Sequence, residues 1–73
     1  MKKYTVELTC YVPGQGYSYC TDLDPIINPD VDEYKLARMY ASEYELPDDG
    51  NDYLFQVYNS KYQLVSEIWS NEL

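Results

Sequence analysis

Histidine is absent from this 73-residue chain. That removes the commonest general base and the usual proton-handling partner of a catalytic serine or cysteine. Glycine occurs only three times, and nothing resembling a glycine-rich phosphate loop or P-loop is present. The two cysteines, Cys10 and Cys20, form no CxxC pair. Cys10 has no cationic neighbour to activate it, and Cys20 lies near Asp22 and Asp24, whose charges disfavour a thiolate. Met1-Lys2-Lys3 leads into the alternating run Tyr4 to Leu8 rather than into an apolar leader. No apolar run approaches the ~20 residues that a membrane helix needs. These absences lead to the expectation of a cytoplasmic protein, in a host cytosol, with free thiols. They also predict no catalytic residue, no cofactor and no metal.

Positive charge is scarce as well. Lys2, Lys3, Lys35, Arg38 and Lys61 face thirteen acidic residues, leaving a net charge of −8 at pH 7. Nucleic acids and anionic membranes are met by lysine and arginine, and five scattered cations form no stripe for them. The expected partner is a basic protein surface, with no direct contact to nucleic acid or membrane.

What the chain has in quantity is tyrosine, ten of them. So many aromatics argue for a folded chain, and the length allows one domain, residues 1–73. Asp52 to Trp69 reads as a β-hairpin with alternating Tyr53, Phe55 and Val57. A two-residue turn at Asn59-Ser60 or Ser60-Lys61 places those three with Leu64 and Ile68 on one face, and a three-residue loop would mix polar with apolar positions. Lys3 to Val12 alternates cleanly, with Tyr4, Val6, Leu8, Cys10 and Val12 on one face. After Pro13-Gly14-Gln15-Gly16, Tyr17 to Thr21 has strand composition. A four-residue loop pairs Cys10 with Tyr19, and a three-residue loop pairs Cys10 with Cys20; the first keeps Tyr17 and Tyr19 on the apolar face. Asp22 to Pro29 reads as a linker. Val31 to Glu45 reads as a helix with Asp30 as N-cap and Glu33 as its capping-box partner. Its apolar stripe holds Leu36, Ala37, Tyr40, Ala41 and Tyr44. The predicted fold is α+β in the order ββαββ, an antiparallel sheet of three or four strands with one helix packed on one face. The other sheet face carries Thr5, Glu7, Thr9, Tyr11, Gln56, Tyr58, Gln63, Val65 and Glu67.

Two acidic clusters stand out: Asp22, Asp24, Asp30, Asp32 and Glu33, then Glu43, Glu45, Asp48, Asp49 and Asp52. Capping, turn formation and solvation explain several of them singly. Neither cluster has the spacing of a calcium loop. Together with exposed tyrosines such as Tyr11 and Tyr58, they suit a protein-binding surface, since tyrosine gives large contact area with few rotors.

The small size, the charge of −8, and the runs DVDE (Asp30 to Glu33) and PDDGND (Pro47 to Asp52) resemble a functional class. That class is the small acidic inhibitors of phages and mobile elements, of which anti-CRISPR and anti-restriction proteins are examples. The resemblance implies a cytosolic, stoichiometric inhibitor that occupies a positively charged site on a host nucleic-acid enzyme. Two other readings are a small structural or assembly module, such as a homodimer that adds strands at its sheet edge, and an acidic immunity or antitoxin protein.

Overall fold

A computed structural model describes residues 1–16 and 18–73. It is an α+β fold with a four-strand antiparallel sheet and one α-helix. The strands are β1 (Lys3–Tyr11), β2 (Ser18–Ile27), β3 (Asp52–Tyr58) and β4 (Leu64–Trp69). Their order across the sheet is β2-β1-β3-β4, so the cleanly alternating β1 is central. Between the hairpins the chain runs through a 3₁₀ turn (Glu33–Lys35) and then α1 (Leu36–Glu43), a refinement of the plain ββαββ order.

The alternation of β1 is realised as read. Tyr4, Val6, Leu8 and Cys10 are buried on one face, while Thr5, Glu7 and Thr9 are half-buried on the other. Tyr53, Phe55 and Val57 of β3 and Ile68 of β4 join the same core. Cys10 lies opposite Tyr19, and Cys20 opposite Thr9, which is the four-residue-loop register. Both cysteines are free. Tyr17, expected on the apolar face, lies outside the described residues.

β2 is twice as long as the predicted strand. It continues through the stretch read as a linker, with Asp22 opposite Glu7 and Ile26 opposite Tyr4. Pro25 is tolerated because β2 is an edge strand and because Asp24 and Pro25 together oppose the single residue Thr5 in a bulge. Ile26 is then buried, and Ile27 falls on the opposite face.

The β3–β4 connection corrects the two-residue turn. Asn59 pairs with Gln63 across the three-residue loop 60–62, with Asn59 N–H donating to the Gln63 carbonyl at 3.0 Å. Asn59 decides this: its Oδ1 accepts from the N–H groups of Lys61 and Gln63, each at 2.9 Å. A three-residue loop alone would turn Ile68 outward. A bulge at Val65 restores the phase, so Val57 faces Ser66 and Phe55 faces Ile68. Leu64 precedes the bulge and pairs with Tyr58 on the opposite face, not with the core as predicted. Val65, expected outside, packs partly against the core.

The helix is shorter than the predicted Val31 to Glu45, and the Asp30–Glu33 capping box does not form. Glu33 instead accepts the Tyr4 hydroxyl at 3.1 Å. The role of cap passes to a residue distant in sequence. Ser66, buried in β4, accepts the Ala37 N–H at 3.0 Å and donates to the Tyr34 carbonyl at 3.0 Å. At the other end Tyr44 turns extended, and its ring meets Phe55 edge-on with centroids 5.7 Å apart. Leu36, Ala37 and Ala41 are the buried helix residues, and small Ala37 and Ala41 allow the close approach to β3 and β4. Ser66→Ala should lower stability by about 1–3 kcal/mol, because it leaves a buried N–H and a carbonyl without partners. A thermal melt reads this directly; an unchanged midpoint would mean that water replaces the hydroxyl.

Candidate protein-binding face

The helix covers one side of the sheet only. The register lays out the other side in rows. One row runs straight across all four strands as Asp22, Glu7, Gln56 and Glu67. Adjacent strands are about 4.8 Å apart, so the row spans roughly 15 Å. Its three charges are all acidic, and Asp22 and Glu67 are exposed. Asp22 and Glu7 are directly opposed, an arrangement of like charges that disfavours folding. Gln56 bridges part of the row by donating from Nε2 to Glu67 Oε1 at 3.1 Å.

Aromatic groups flank the row on both sides. On one side Tyr58 and Tyr62 stack at 4.6 Å and 16°. Tyr62 has a left-handed backbone (φ 58) that disfavours a bulky residue by about 1–3 kcal/mol. That conformation ends the three-residue loop and lays the ring over Tyr58, where its hydroxyl donates to Glu7 Oε2. The Glu7 carboxylate, as acceptor, pushes the pKa of the Tyr62 phenol up to about 12. On the row's other side the Tyr11 and Trp69 rings meet at 5.1 Å across β3. Leu54 lies on that strand and keeps only 7 % of its surface exposed. Cys20 also borders the row, its thiol donating to Glu7 Oε1 at 3.5 Å. Burial first, and then Glu7 and Asp22, raise its pKa, which disfavours a reactive thiolate despite its exposure.

The sequence-predicted site residues divide between several places. Asp22, Tyr11 and Tyr58 lie on the helix-free face, with Asp52 opposite Tyr11 at the start of β3. Asp24 sits in the β2 bulge. Asp30 and Asp32 precede the 3₁₀ turn that holds Glu33, and Glu43 ends α1 with Glu45 just beyond. Among the described residues no three carboxylates or thiols converge as a metal site. Glu7, Glu67, Tyr62 and Trp69 were absent from the predicted site. Alternation puts Glu7 and Glu67 on this face, but they stand alone in the sequence, outside the two dense acidic runs.

Asp49 is more than a solvated turn residue. Its Oδ2 accepts the Tyr53 hydroxyl at 2.5 Å and its Oδ1 accepts the Asn51 N–H at 3.0 Å. The Tyr53 hydroxyl, with the Asn51 N–H second, holds the Asp49 carboxyl below its ordinary value of 3.8. A depressed folded pKa adds stability that is complete above the unfolded value and is lost as pH falls through the folded one. The melting temperature should therefore drop on acidification below about pH 4, and Asp49→Asn should flatten that drop. Superimposable melting curves of the two proteins against pH would refute the role.

No known protein family, curated protein sequence or solved structure matches this chain.

Proposed function

We propose that this chain is a non-catalytic binding protein that occludes a basic, nucleic-acid-binding site on a host defence enzyme, with the helix-free sheet face as its contact surface. The observation that carries this reading is the row Asp22-Glu7-Gln56-Glu67 between two aromatic pairs. A sheet folding only for stability gains nothing from opposing Asp22 and Glu7. A face meeting arginine and lysine gains twice: carboxylates steer and pair the cations, and tyrosine and tryptophan rings receive them face-on. Lys3 and Lys61 belong to the sheet end where β1 starts and β3 turns into β4. Occupancy of such a site by a folded acidic domain excludes nucleic acid by charge and by bulk.

Both sheet edges count against the assembly alternative. β2 is bulged and carries Pro25, and β4 is bulged at Val65. Such irregular edges resist strand addition. The experiment is capture of the partner from host lysate, followed by surface plasmon resonance with the purified enzyme in the presence and absence of its nucleic acid. Competition between the chain and the nucleic acid supports the reading. Simultaneous binding of both to the enzyme refutes it.

A further inference from the structure

A second surface has the opposite character. Along the flank of α1 runs an open trough of about 950 Å³. Val31, Met39, Leu46 and Leu73 supply its apolar lining, and Lys35 and Arg38 its charge. Among the described residues no acidic side chain lines it, although the chain has thirteen acidic residues against five basic ones. Two of the five cations thus gather at one apolar site. Lys35, Arg38, Met39 and Ser42 follow helical spacing, which puts them on one face of the helix. Neither cation makes an ion pair among the described residues; Lys35 only approaches the ring of Tyr34, at 5.7 Å. Val31 is 40 % exposed and Leu73 54 %, so the apolar lining is uncovered.

From this charge inversion we infer that the trough docks a partner segment that is both acidic and apolar, such as an amphipathic helix with carboxylates beside its leucines. The chemistry selects that occupant. Two cations are too few to hold a nucleic-acid backbone against a net charge of −8. A small amphiphile needs an enclosing pocket that buries most of its surface, and an open trough does not enclose it. A peptide segment laid along the helix covers the apolar lining and brings carboxylates to Lys35 and Arg38, the helix-in-groove mode of recognition. The site lies on α1, on the covered side of the sheet, so it stands or falls independently of the acidic face. If both surfaces act, the chain bridges a basic partner and an acidic one.

The test uses the full chain, labelled with ¹⁵N, and a synthetic amphipathic peptide with leucines on one helical face and aspartate and glutamate on the other. Amide shifts should change at Lys35, Arg38, Met39 and Leu46 and leave the strands of the acidic face unmoved. The double variant Lys35→Glu with Arg38→Glu should weaken binding at least about tenfold, the equivalent of about 1.4 kcal/mol. Both residues are exposed, so the thermal melt of that variant should match the parent. A control peptide with lysines in place of the acids should not bind the trough. The inference is overturned if the peptide leaves the trough amides unchanged, if the lysine peptide binds there equally well, or if the double variant binds the acidic peptide with unchanged affinity. It is also overturned if light scattering shows a dimer whose second copy fills the trough.

Discussion

Phe55→Ala is expected to abolish the cooperative thermal transition. Phe55 is fully buried, lies between Leu8 of β1 and Ile68 of β4, and receives Tyr44 and Tyr40 from the helix side at ring distances of 5.7 and 6.4 Å. It joins the central sheet to the aromatic end of the helix. Removing a buried phenylalanine ring typically destabilises by about 3–5 kcal/mol. The core of a domain this small supplies about 3–5 kcal/mol in total. The loss therefore matches the whole margin. Phe55→Leu conserves most of the volume and should cost less than about 1.5 kcal/mol, leaving a folded protein with a lower midpoint. Circular dichroism melts of both variants decide the matter. A sharp melt near the parent midpoint for Phe55→Ala would show that the core is held elsewhere.

Reversal of charge along the acidic row should separate binding from stability. Asp22→Lys places a cation opposite Glu7, replacing a like-charge pair with an opposite-charge pair across the strands. Such pairs contribute about 0.2–1 kcal/mol, so the variant should melt at or above the parent temperature. Glu67 is exposed, and its carboxylate accepts a hydrogen bond from the Gln56 side chain. The double variant Asp22→Lys with Glu67→Lys should therefore fold normally while its net charge changes from −8 to −4. Association with a basic partner should nevertheless slow by about 10- to 100-fold at low salt, because steering comes from the field of the face. The parent on-rate should fall steeply as salt rises, since the screening length is ~10 Å at 0.1 M. The variant on-rate should be nearly flat. Loss of the Tyr58 ring should appear in the off-rate, where desolvated aromatic contacts hold a formed complex. Surface plasmon resonance with the purified enzyme at several salt concentrations reads all three. Equal on-rates for parent and double variant, independent of salt, would rule out the electrostatic inhibitor and favour an assembly role.

The two-residue period of β1 and β3 was legible because alternate residues of each supply the apolar core beneath the helix. Slipping either by one residue would move Val6, Leu8, Phe55 and Val57 into water, so burial alone selects their orientation. The Cys10–Tyr19 register followed from the same rule. One helix between two hairpins was likewise written in the run from Leu36 to Ala41, whose apolar stripe has no other use. In each case the decisive energy is local periodicity against a single core.

Other features depended on one-residue choices that neighbouring strands make. The bulges at Val65 and at Asp24-Pro25 shift the pairing by one residue; Pro25 disfavours regular pairing in β2, but nothing in β4 alone marks where its shift falls. Even spacing puts Ser66 on the same face as Ile68, but a lone serine there does not announce a cap; it becomes one only once β4 lies beneath Ala37. The acidic row has the same origin. Glu7, Asp22 and Glu67 are far apart in the chain, and density along the sequence pointed to the loops around the helix instead. Alternation assigned Glu7 and Glu67 to a face, but only cross-strand register placed Asp22 beside them. That register was settled by the turns, the bulges and the packing of the opposite face.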